Sequence, residues 1–174
     1  MKKIKICHHD NSTSFTKEIS RHAVRAIIEN NNRLLLIFSS TVGDYKFPGG
    51  GIEKDESNEA ALRREVQEEC GVEVFEVKNM VLRIVEERIS KECSTTKFKM
   101  ISDYYICTSS EELGMQNLDP YEAELGFTPG WFDINDAVQC NNEIVNSTDA
   151  DRIVPRWIKR DTMVLEMIKN RLIS

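Results

Sequence analysis

Apolar positions are unevenly spaced along the chain, and the spacing divides it into elements. Arg21 to Ile28 is rich in branched side chains and Arg33 to Phe38 is almost continuously apolar, with Asn30-Asn31-Asn32 between them. That is the pattern of a β-hairpin or meander in which Leu34 to Phe38 is buried on both faces. Thr41 to Tyr45 reads as a loop. In Lys46-Phe47-Pro48-Gly49-Gly50-Gly51, proline stiffens the entry and glycine lets backbone approach a ligand closely. The period then changes, and Leu62, Val66 and Cys70 form one stripe of an amphipathic helix with Ser57 as N-cap and Gly71 as C-terminal stop.

Val72 to Val77 and Met80 to Glu87 read as strands and Lys91 to Thr96 as a polar turn. Lys97 to Cys107 alternates and carries Phe98, Tyr104 and Tyr105, the pattern of a central strand. Its aromatics are candidates to stack on a planar ligand, although filling the core is the commoner use of such rings. Ser109 to Glu124 is polar, acidic and too long for a hairpin turn. Gly130 to Ile134 reads as a short strand, Asn135-Asp136-Ala137 as a helix start, and Asn141 to Asp151 as a polar connection. Beyond Pro155, Ile158, Leu165, Ile168 and Leu172, with Val164 beside them, mark a C-terminal helix. Strands, helix, strands and a final helix predict an α/β fold with a mixed β-sheet between helices.

The evident chemistry lies on the first helix. Glu65, Glu68 and Glu69 stand three and four residues apart, within roughly a 100° arc. Carboxylates so close repel and raise one another's pKa, so neutralising one should relieve the helix unless a cation sits among them. A hard divalent ion with oxygen ligands answers that need. An acid-rich helix is by itself more often a solvated face.

The spacing decides otherwise. From Gly50 to Val72 the chain follows Gly-x5-Glu-x7-Arg-Glu-apolar-x-Glu-Glu-x-Gly-apolar, with Glu56, Arg64, Glu65, Glu68, Glu69 and Gly71 at the fixed positions. This resembles the signature of the Nudix hydrolases at every fixed position. Asp55 stands where many members carry glycine, and aspartate tolerates the left-handed backbone that such a turn requires.

The resemblance implies an α/β/α sandwich and hydrolysis of a diphosphate linkage in a nucleoside diphosphate joined to another group. It implies Glu65, Glu68 and Glu69 as ligands of Mg²⁺, with Mn²⁺ as the alternative, joined by the carbonyl of Gly49. One of these acids, or a glutamate on the loop before the tryptophan strand, would serve as base. Glu122 and Glu124 both suit that loop position, and Glu124 is preferred for its place nearer Trp131. Glu56 and Arg64 would brace the set, since the planar arginine fork can hold carboxylates in place. Members that cleave ADP-ribose tend to carry a proline shortly after the motif, and dinucleoside polyphosphate hydrolases a tyrosine. Here that stretch is Glu86, Glu87, Arg88, Ile89 and Ser90, which leaves nucleoside triphosphates, damaged ones included, as the leading class. ADP-ribose or nucleotide-sugar cleavage, RNA 5′-end hydrolysis and nucleotide binding without catalysis are the alternatives. Non-catalytic domains usually lose motif carboxylates, and this chain keeps them all. Family members are often homodimers.

At 174 residues the chain fits a single domain over 1–174. A net charge of −6 argues against a broad surface for long nucleic acid and favours a small nucleotide-type substrate. Five cysteines without Cys-x-x-Cys pairing suit a reducing compartment, with the cytoplasm as the expectation. Met1-Lys2-Lys3 is followed by His8, His9, Asp10 and Asn11, which interrupt any signal-peptide core, and no run is long enough to span a membrane. The adjacent histidines are left out of the site, because neighbours in sequence rarely share a side.

Overall fold

The computed structural model describes residues 1–9, 14–148 and 154–173. Seven strands, β1 (Lys2–Cys7), β2 (Lys17–Asn30), β3 (Arg33–Ser39), β4 (Asp44–Lys46), β5 (Val74–Ile89), β6 (Thr96–Ser109) and β7 (Phe127–Phe132), join one sheet in the order β1-β5-β6-β2-β3-β4, with β7 paired to β3. The sheet is mixed: β1 runs parallel to β5 and β2 parallel to β6, while the other pairings are antiparallel. Helices α1 (Asn58–Cys70), α2 (Pro120–Glu124), α3 (Ile134–Val145) and α4 (Arg156–Lys169) complete the architecture.

Burial on both faces of β3 explains its unbroken apolar run. Leu34 and Leu36 join a core with Leu82, Ile84, Tyr104, Val164 and Leu165, whereas Leu35 and Ile37 join a second with Leu62, Val66 and Cys70. The sheet therefore lies between α1 on one face and α3 with α4 on the other, which is the sandwich expected. Fully buried Leu62 pins α1 to the sheet; its burial contributes roughly 2 kcal/mol.

Asn31 and Asn32 both adopt positive φ (50° and 60°) in the two-residue turn between β2 and β3, a conformation that asparagine accepts. The hairpin ladder holds for only two pairs, Glu29↔Leu34 and Asn30↔Arg33. Beyond them the glycine segment lies along β2 in place of β3: Ala26 and Val24 N–H donate to the carbonyls of Pro48 and Gly50, and Ile52 N–H donates to that of His22. The opening between β2 and β3 thus seats the loop that leads into α1.

Several elements differ from the sequence reading. The N-terminal residues form edge strand β1, whose Ile4 and Ile6 pack on the first core. Thr41 to Tyr45 is not all loop, since β4 begins at Asp44. The two strands expected from Val72 to Glu87 are one long strand, β5, with register shifts between Val74 and Leu82 that blur its alternation. Ser109 to Glu124 ends in the short helix α2, and the tryptophan strand begins at Phe127 and stops at Phe132, so Ile134 opens α3. Asn141 is buried inside α3, where its amide bridges the backbone of Tyr45; the far end of the expected polar connection lies outside the described residues. Helix α4 ends before Leu172, which is exposed, and Ile173 is buried instead.

Candidate active site

Helix α1 starts and stops where the sequence places its caps. Ser57 Oγ accepts from Ala60 N–H, and Gly71 (φ 66°) returns its N–H to the Gln67 carbonyl. Asp55 carries φ 65°, so aspartate does take the left-handed turn position. These two ends fix which acids face the glycine loop.

Glu69 is almost wholly buried, with both oxygens engaged. Lys46 Nζ lies 2.8 Å from Oε1 and Gly49 N–H donates to Oε2 at 2.6 Å. The Lys46 ammonium also lies 3.9 Å from the centre of the Phe127 ring, a cation–π contact. Glu65 stands against Gly50, where a Cβ would come within 2.2 Å of its Oε2, so only glycine leaves room for that carboxylate. Gly49 has φ 132°, and a Cβ there would meet the Val24 carbonyl at 2.2 Å.

Arg64 organises the remaining acids. Its Nε and Nη2 donate to the two oxygens of Glu56 at 2.9 and 3.0 Å, and its Nη1 donates to Glu65 at 2.9 Å and Glu68 at 3.0 Å. Its Nη2 donates also to the Gly51 carbonyl. The fork therefore ties the loop to the helix and holds the Glu56 carboxyl below its ordinary value.

The loop after β6 delivers the last acid. Gln116 donates its side-chain amide to the carbonyls of Glu69 and Phe127, and Asn117 N–H donates to the Glu68 carbonyl, which docks the loop on the end of α1. Asp119 then caps α2 in a capping box with Glu122. Carboxylate oxygens of Glu65, Glu69 and Glu122 come within 4.8 Å of one another at a cleft of about 500 Å³. Of the two loop acids, Glu122 and not the preferred Glu124 reaches the cluster. Glu124 is exposed and its backbone carbonyl accepts from Thr41, because the single turn of α2 points the two residues apart. Glu68 lines the cleft beside the cluster, half-exposed on Arg64.

Burial raises the carboxyls of both Glu65 and Glu122, with the charge of Glu69 adding to the effect and Arg64 opposing it at Glu65. Two of the three clustered acids thus carry their charge at a greater cost than a free carboxylate, a cost that a cation among them would offset. Among the described residues no hydrogen bond engages the Gly49 carbonyl, while those of Pro48, Gly50 and Gly51 are taken. Three convergent carboxylates, with an uncommitted carbonyl on the glycine whose N–H holds Glu69, make an all-oxygen donor set that fits a hard divalent cation.

A family model of the NUDIX domain matches residues 20–156. The chain belongs to the Nudix family. Nudix hydrolases generally use divalent metal ions. The MutT protein of Bacillus halodurans shares the fold with a TM-score of 0.56 at 16% identity, over 85% of this chain and 81% of that one. A Nudix hydrolase of Nitrosomonas europaea gives a TM-score of 0.56 at 18% identity, over 87% and 90%. The CTP pyrophosphohydrolase of Escherichia coli K12 is 44% identical over 54 residues, which span 29% of this Nudix chain and only 40% of that relative's length.

Sequence reasoning missed Lys46, because β4 is too short to show alternation. Elsewhere, Tyr104 is fully buried in the core and Tyr105 accepts from Asn58, while Phe98 lies beneath Arg88 at 4.0 Å. His8 faces Glu86 at 3.8 Å and His9 faces Glu87 at 3.9 Å, so the adjacent pair does diverge. Cys7, His9 and Glu87 converge away from the cleft, with the Lys5 ammonium 3.0 Å from Glu87 and that of Lys97 at 3.9 Å. None of the five cysteines forms a disulfide among the described residues, where no helix is long and apolar enough to cross a membrane.

Proposed function

We propose that this Nudix hydrolase cleaves a phosphoanhydride of a nucleoside triphosphate, damaged ones included, to a shorter nucleotide and phosphate or pyrophosphate. The observation that carries the reading is the convergence of Glu65, Glu69 and Glu122 within 4.8 Å at a cleft large enough for a nucleotide's phosphates. The absence of the ADP-ribose proline after the motif and the name of the Escherichia coli relative both favour a triphosphate.

Glu65, Glu69 and Glu122, with the Gly49 carbonyl, would hold Mg²⁺ or Mn²⁺, with Glu68 alongside. A divalent ion bound there neutralises phosphate charge and lowers the pKa of water. Lys46 and Gly49 N–H fix Glu69 in its rotamer, so that carboxylate binds without reorganising. Arg64 and Glu56 keep Glu65 against the glycine loop. With both oxygens of Glu69 committed, the cleft acids that retain an oxygen to take a proton from attacking water are Glu65, Glu68 and Glu122. The enzyme acts as a homodimer in the reducing cytoplasm, on small substrates and not on long nucleic acid.

A phosphate-release screen with Mg²⁺ or Mn²⁺ tests this over nucleoside triphosphates, ADP-ribose, nucleotide sugars, dinucleoside polyphosphates and 5′-triphosphate RNA. A nucleoside triphosphate is expected to give the highest kcat/KM. ADP-ribose, a nucleotide sugar or RNA turned over about tenfold better would replace the substrate assignment, and nucleotide binding without turnover would refute catalysis.

A further inference from the structure

Five carboxylates and two guanidinium groups, Arg21 and Arg64, line the cleft. A phosphate-bearing substrate needs cations there, yet Arg64 has none to give: its Nε, Nη1 and Nη2 are all committed to Glu56, Glu65, Glu68 and the Gly51 carbonyl. Arg21 is its opposite. Among the described residues its guanidinium makes no hydrogen bond or ion pair, and it lies along Gly51, where a Cβ would meet Nη2 at 3.2 Å and Nε at 3.5 Å.

The backbone under Arg21 is firmly placed. Arg21 sits on β2 in register with Met100 of β6, and the other edge of β2 is closed by the Ala23↔Gly51 bridge and the Ile52 N–H bond to His22. An exposed arginine is usually only solvated. This one forms part of the wall of the cleft beside the carboxylate cluster, and glycine at 51 leaves room for its guanidinium next to the loop that leads into α1. A planar fork with free N–H groups suits two oxygens of one phosphate, which a lysine cannot match in a bidentate way.

We propose that Arg21 is the phosphate receptor of the cleft, donating two N–H groups to a terminal phosphate of the substrate. It thereby sets specificity, favouring a substrate that ends in a charged phosphate over one that ends in a neutral sugar. This rests on the hydrolase reading above and adds to it a residue outside the signature motif.

The test compares the parent with R21Q and R21K on the best nucleoside triphosphate and on ADP-ribose, alongside calorimetric binding of inorganic tripolyphosphate in Ca²⁺. In R21Q, KM for the triphosphate should rise about tenfold or more, with kcat falling less than KM rises, as for lost substrate binding. KM for ADP-ribose should change less than about threefold, tripolyphosphate affinity should fall about tenfold, and R21K should recover part of each loss. Equal Mg²⁺-induced melting shifts in parent and R21Q would show the metal centre intact. An active parent whose R21Q form keeps its KM and tripolyphosphate affinity, or loses equally on both substrates, overturns the assignment of Arg21. A parent that turns over no diphosphate substrate refutes the hydrolase reading instead.

Discussion

Replacing Glu69 with glutamine separates two views of the acidic helix. If the helix were only a set of repelling charges, removing one would leave the metal-free protein as stable as before or more so. Lys46 reverses that sign. Glu69 is 1% exposed and lies 2.8 Å from the Lys46 ammonium, whose side chain is 11% exposed, so the pair is buried. Glutamine keeps an oxygen for Gly49 N–H but leaves Lys46 without its counter-charge. Breaking a buried pair from one side costs about 3–5 kcal/mol, and the retained hydrogen bond places this case at the lower end. A loss of about 3 kcal/mol corresponds to a fall in Tm of about 6–12 °C for a chain of this size. Thermal melts in EDTA measure it directly. With Mg²⁺ at a hundredfold excess over Kd the parent should gain about 2.7 kcal/mol and the variant less, while turnover falls by about 10²–10⁴. A second replacement, K46M, in the E69Q background should restore part of the lost stability, since no buried charge is then left unpaired. E69Q melting at or above the parent in EDTA would refute the reasoning, and an unchanged rate would remove Glu69 from the metal site.

On the α2 side, E122Q should slow turnover by about a hundredfold or more and E124Q by less than about threefold, because only Glu122 reaches the cluster; steady-state rates with saturating Mg²⁺ that rank them the other way restore Glu124. Asp44 supplies a pH dependence of stability. Its Oδ2 accepts from Trp157, its Oδ1 is buried with no partner among the described residues, and burial lifts its carboxyl from 3.8 to about 6, with Asp161 adding to the rise and Lys46 opposing it. The native state then holds a proton that the unfolded state has lost, so stability falls as pH rises from about 4 to about 6 and stays lower above that window, by about 3 kcal/mol at most. D44N should melt above the parent at about pH 8 and lack this leg of the melting profile; equal profiles would show that Asp44 stays charged at no cost.

What the sequence alone determined is local and periodic. Helix α1, its caps at Ser57 and Gly71, the turn at Asp55 and the acidic face follow from residues near one another in the chain, where spacing fixes geometry. The unbroken run of β3 likewise announced burial on both faces, because no polar side chain interrupts it. Tertiary structure decided whatever depends on where distant segments meet. Glu122 and Glu124 are indistinguishable as letters, and only the capping box of α2 with the docking of Gln116 and Asn117 on α1 turns one of them toward Glu65. Lys46 and Glu69 are 23 residues apart, and no periodicity links a three-residue strand to the far end of a helix. The sign of the Glu69 substitution hangs on that contact, since a charge is costly or favourable according to its nearest buried neighbour, and folding chooses that neighbour.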